Sequence, residues 1–199
     1  MGRKKKFFKI VVIGLIFIIA LAVPSIFKRY AQATNVTGTA TFNQGTLSLI
    51  PPTQIVWAAT LTGYDMEILN TAPYQVDDAT GSGSGWNVSA DYTGLTDSVT
   101  GESLANNAMT TNGSTTSATA TTAPSSQCVT TCTLPAPYTT PTYPVTVPVG
   151  TTSAIIYAAS QGSGEGDVEI DPAWWLAVPA NTLAGTYTGT ITMTVASGP

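Results

Sequence analysis

Gly185-Thr186-Tyr187-Thr188-Gly189-Thr190-Ile191-Thr192-Met193-Thr194-Val195-Ala196-Ser197 alternates between two chemistries along its length. In an extended chain Tyr187, Gly189, Ile191, Met193 and Val195 share one side, and Thr188, Thr190, Thr192 and Thr194 share the other. A period of two with an apolar face and a hydroxyl face predicts a strand set between a core and water. Trp86, Val88, Ala90 and Tyr92 repeat the pattern against Asn87, Ser89 and Asp91. Working outward, strands are predicted at 37–42, 46–50, 55–61, 74–77, 145–149, 154–159 and 166–170, with Gly, Pro and Asn between them. No window holds a helical period. The fold class predicted is all-β: an antiparallel, Ig-like β-sandwich over residues 34–199, one domain large enough to bury its own core.

Charge narrows the function. Every Lys and Arg (Arg3, Lys4, Lys5, Lys6, Lys9, Lys28 and Arg29) precedes Gln32, and the chain has no His. All eleven Asp and Glu residues follow Thr34. The body therefore has no cation with which to neutralise phosphate, which argues against nucleic acid and anionic membrane as its partners. It also lacks the groups for a Ser-His-Asp triad, a Cys-His pair, a Schiff-base lysine or an arginine clamp. A non-catalytic binding or structural module is the expectation.

Residues 1–33 read as a secretory signal segment: basic Met1 to Lys9, an apolar run from Ile10 to Val23, then Ala31-Gln32-Ala33 as a small-x-small cleavage pattern. An uncleaved anchor is the alternative, and both readings export the body. Cys128 and Cys132, the only cysteines, are expected to form one short disulfide, since no further Cys or His is present to complete a metal site. The stretch 106–143, rich in Thr, Ser, Ala and Pro, reads as a surface loop inserted between strands. Within it Asn112-Gly113-Ser114 is the glycosylation sequon expected to be accessible.

Two stretches resemble the WxL domain of Gram-positive cell-surface proteins. Asp77-Asp78-Ala79-Thr80-Gly81-Ser82-Gly83-Ser84-Gly85-Trp86-Asn87-Val88 is similar to that family's Asp- and Gly-rich turn leading into a Trp-x-Leu strand, with Val88 in place of Leu. Leu176-Ala177-Val178-Pro179, followed by Gly185-Thr186-Tyr187 and the terminal alternating run, resembles its closing strand, with Met193 where Trp is usual. The opening Gly45-Thr46-Leu47-Ser48-Leu49 looks familial too. The resemblance implies a secreted protein held noncovalently at the cell surface by peptidoglycan or another cell-wall polymer, with Trp86, Val88, Tyr187 and Met193 as its motif and core residues. In the residues themselves, the glycines suit a tight hairpin turn, and Trp86 is expected in the core.

Two clusters are candidate sites. Trp174 and Trp175 are adjacent, so in a strand they face opposite ways, and whichever ring is exposed is a candidate for stacking on a glycan. Glu165, Asp167, Glu169 and Asp171 alternate with Gly166, Val168 and Ile170, placing four carboxylates on one face. They read first as a solvated acidic edge that discourages aggregation, and second as a calcium site, the one cofactor the sequence suggests. The rival function is a subunit of an extracellular filament or surface layer, joined to other copies of itself by strand addition with residues 34–40 as the donated arm.

Overall fold

The computed structural model describes residues 37–114, 122–136 and 141–199. The predicted signal segment, 1–33, lies outside the described residues. By its contacts the chain divides at Phe42. In the first unit only Thr37–Phe42 is described; it forms no strand and is exposed throughout, which corrects the strand expected there.

The second unit, Asn43–Pro199, is all-β, and its strands pair antiparallel. In chain order they are β1 (Leu47–Ile50), β2 (Met66–Thr71), β3 (Tyr74–Asp78), β4 (Trp86–Tyr92), β5 (Thr96–Asp97), β6 (Met109–Thr111) and β7 (Ser125–Cys128). There follow β8 (Val145–Thr146), β9 (Ala154–Ala159), β10 (Gly166–Asp171), β11 (Ala173–Val178), β12 (Tyr187–Thr188) and β13 (Ile191–Ser197). They form sheets in the orders β1-β3-β10-β7, β2-β11-β6-β8 and β13-β4-β9, with β12-β5 as a small pair.

The first two sheets are one ladder interrupted by proline. Pro73 separates β2 from β3, and Pro172 separates β10 from β11. Proline has no N–H to give to a ladder, so the hydrogen bonding breaks at both. Register nevertheless carries straight through, from Ile170↔Tyr74 to Ala173↔Thr71. The same set of alternate residues therefore points inward along both halves: Tyr74, Val76, Val168 and Ile170 on one side of the break, Trp174, Leu176 and Val178 on the other, all buried. Against them pack Trp86, Val88, Ala90 and Tyr92 of β4, in a single hydrophobic cluster.

Several expected elements differ. The terminal run is two strands, not one, because the chain changes partners at Gly189: Tyr187 and Thr188 pair with β5, and Ile191 onward with β4. A Cβ at Gly189 would lie 2.1 Å from the Gly94 carbonyl oxygen, an approach only glycine permits. Segment 55–61 forms no strand; it runs beside β2, whose Asn70 side chain donates to the Val56 carbonyl. The stretch 106–143 is not simply a surface loop. It supplies β6, which lies inside a sheet, and β7, and it buries Met109, Thr110, Thr111, Asn112 and Ser114. Asn112 is locked by bonds to the Ala173 amide and Thr122 carbonyl, so the sequon expected to be accessible is buried. The Gly-rich turn after β3 is no hairpin, because β3 and β4 belong to different sheets; it crosses between them, with positive φ at Gly81, Gly83 and Gly85.

Candidate functional site

Around Trp86 the chain is built for packing. The indole is fully buried, its Nε1 donates to the Gly164 carbonyl at 2.9 Å, and its ring lies 5.8 Å from that of Tyr157. Gly164 is forced: a Cβ there would meet Nε1 at 2.6 Å, and its φ is +82°. Val88 is buried beside it on the same face. Tyr187 and Met193 are partly buried and pack against that core.

Trp174 and Trp175 do face opposite ways. Trp174 is fully buried, and its Nε1 donates to the Ala72 carbonyl at 3.2 Å. It is therefore a core residue and drops out as a glycan contact. Trp175 points outward, half-buried, between Leu69 of β2 and Thr110 of β6. Leu69 is 49% exposed, so an indole and a leucine stand side by side on the outward face of the sheet, while Thr110 on the indole's other flank is buried. Gly113 and Ser114 fold back over this face, Gly113 accepting from the Thr110 hydroxyl of β6 and Ser114 bonding to Glu67 of β2 on the far side of β11.

Because register is continuous across Pro172, Asp167, Glu169 and Asp171 share that outward face with Trp175. Asp171 and Trp175 are four residues apart, about 13 Å in an extended strand. The sequence had proposed the two clusters separately, and the ladder brings them onto one surface. β10 is an inner strand with β3 and β7 on its flanks, so the acidic row is not an edge device. Asp167 stands opposite Asp77, an unfavourable like-charge pair. Glu169 is held by the amides of Gln75 and Gln127. Among the described residues no group of three or more His, Cys, Asp and Glu side chains is arranged to hold a metal ion. Glu165 precedes the strand and lies near Gly83 in the crossing turn.

Cys128 and Cys132 are joined, with Cα atoms 5.5 Å apart. The bridge closes the end of β7, where a Cβ at Gly166 would come within 3.1 Å of Cys132. Burial pushes the hydroxyls of Tyr74, Tyr143 and Tyr157 up, which favours their neutral form. The buried Asp97 does the opposite. The Thr100 hydroxyl, with the amides of Thr100 and Val99, holds its carboxyl below the ordinary 3.8, and it ties the turn after β5 together. Sequence reasoning missed Asp97; an Asp three residues before Thr100 in a Gly-containing turn was the available signal.

No protein-family model matches this chain, and no curated protein matches it.

Proposed function

We infer that this is an exported, non-catalytic cell-surface protein whose body is an Ig-like β-sandwich of WxL type, attached noncovalently to a cell-wall polymer. The observation that carries the reading is Trp175: a half-buried indole beside the exposed Leu69, on the outward face of a multistranded sheet. Such a flat aromatic surface suits the apolar face of a sugar ring, and it needs no charge. That matters here, because anionic wall polymers would be repelled by a body without a cation and with acidic residues on the same face.

The contact is therefore neutral, made by stacking and hydrogen bonding to glycan or peptide. Its expected signature is sedimentation with isolated sacculi that holds steady or improves from about 20 to about 500 mM NaCl, as salt shortens the Debye length. Trp175→Ala should weaken sedimentation about fivefold or more, the scale for losing a stacked ring worth about 1–3 kcal/mol, and leave the melting temperature nearly unchanged. Sedimentation that collapses as salt rises, or that is unchanged in Trp175→Ala, would sink this reading.

A further inference from the structure

Beyond its last strand pair, Val168↔Cys128, the chain leaving β7 stays on β10. The Val129 amide donates to the Asp167 carbonyl at 3.0 Å, and the Thr133 amide to the Glu165 carbonyl at 2.8 Å. Residues 130–132 therefore stand opposite Gly166 alone, a bulge that carries surplus chain on one side of the ladder. Gly166 makes room for it: a Cβ there would lie 2.9 Å from the Thr131 carbonyl oxygen, and its φ is +87°. The disulfide joins Cys128 to Cys132 across this bulge. β7 is the end strand of its sheet, so the bulge is fixed by β10 and by the bridge.

What the bridge positions lies just past the bulge. The Thr133 carbonyl accepts from the Gly164 amide at 2.9 Å, and the Ala136 amide donates to the Ser163 hydroxyl at 3.0 Å. Ser163 and Gly164 are buried, whereas Thr133, Leu134 and Ala136 are exposed, so segment 133–136 covers the turn from outside. Under the turn is the buried Trp86, whose Nε1 donates to the Gly164 carbonyl. Cover, turn and indole form one hydrogen-bonded stack from surface to core. We propose that Cys128–Cys132 is a redox latch: closed, it holds 133–136 over Ser163 and Gly164 and so over Trp86; opened by a dithiol, it lets that cover lift. Cys128 is exposed and Cys132 is partly buried against the core, so exchange begins at the outer sulfur. A thiolate of the dithiol attacks Sγ of Cys128, and Cys132 leaves as a thiolate that takes a proton from water. The reagent's second thiolate then closes on its first sulfur and releases Cys128, which is protonated in turn. The reductant gives up two electrons and becomes a disulfide, and the protein gains two thiols. The surplus chain of the bulge is then free to shift along β10, and the bonds from 133–136 to the turn open locally. The proposal does not rest on wall attachment.

The test is hydrogen exchange followed by NMR on the full chain, before and after reduction with dithiothreitol. The amides of Thr133 and Gly164 and the indole N–H of Trp86 should exchange about tenfold faster in the reduced protein, while the β4–β13 ladder keeps its rates. Reoxidation with a small disulfide should restore the slow rates. Cys128→Ser combined with Cys132→Ser should show the fast rates without reagent and not respond to it. Unchanged exchange at Gly164 and Trp86 on reduction would overturn the proposal. So would an equal acceleration in the β4–β13 ladder, which would make the bridge a support of the whole fold, or fast rates that persist after reoxidation.

Discussion

Trp86→Ala tests the core directly. The side chain is fully buried, so truncation removes a large aromatic from water-free surroundings. Such changes cost about 3–5 kcal/mol through lost transfer energy and the cavity left behind. Two local features push toward the upper end. The Gly164 carbonyl loses the donor that now sits 2.9 Å away, and an orphaned buried acceptor costs about 1–3 kcal/mol more. The surroundings are also tight, since even a Cβ at Gly164 would come within 2.6 Å of the indole Nε1 and 2.8 Å of the Ala159 Cβ. The expected loss is about 4–6 kcal/mol, comparable to the whole stability of many domains. Trp86→Phe separates the terms: it keeps most of the ring and loses the hydrogen bond, and should cost about 1–3 kcal/mol. Urea melts of the three proteins, compared at equal slope, provide the measurement. A loss below about 1 kcal/mol in Trp86→Ala would place the indole at the surface and refute the inward assignment of β4.

Asp97 supplies a pH prediction. Its carboxyl is held below 3.8 in the folded state, so the stability it contributes is present above that value and is lost as pH falls through the lowered folded value. Asp97→Asn should therefore melt lower than the parent above about pH 4, and the two curves should converge in stronger acid; parallel curves throughout would refute the assignment. Reduction of Cys128–Cys132 should cost about 2 kcal/mol or less, because so short a loop removes little chain entropy, and a loss above about 4 kcal/mol would show that the bridge supports more than the end of β7. Millimolar calcium should leave the melting temperature unchanged, since Glu169 is already satisfied by two amides; a rise abolished by Glu169→Gln would establish a site on the acidic face.

What the sequence disclosed followed the strength of its period. β4 and β13 alternate over seven residues each and were read in phase, and the buried row Trp86, Val88, Ala90 and Tyr92 is as expected. β6 was missed because Met109-Thr110-Thr111 is too short and too polar to carry a pattern. Its burial comes from tertiary neighbours: β11 on one side, β8 on the other, and a Thr110 hydroxyl satisfied by the Gly113 carbonyl. The opposite error occurred at 37–42 and 55–61, where β-prone residues lack a paired edge. Propensity records what a chain fits and cannot supply the partner that completes the ladder.

The candidate site shows the same division. Adjacency alone dictates that Trp174 and Trp175 point apart, but which of them faces water depends on register with β2 and β6, which no local pattern encodes. Continuity across Pro73 and Pro172 fixes it. Even-numbered residues from Tyr74 to Asp78 and from Gly166 to Val178 take the inner face, so Trp174 must follow Val168 and Ile170 inward. The odd-numbered set is then committed to the outer face, where Trp175 shares a surface with Asp167, Glu169 and Asp171. A one-residue slip at either proline would bury those carboxylates and expose the core. The two prolines can thus interrupt hydrogen bonding without loosening the register, because the cost of burying three charges holds it in place.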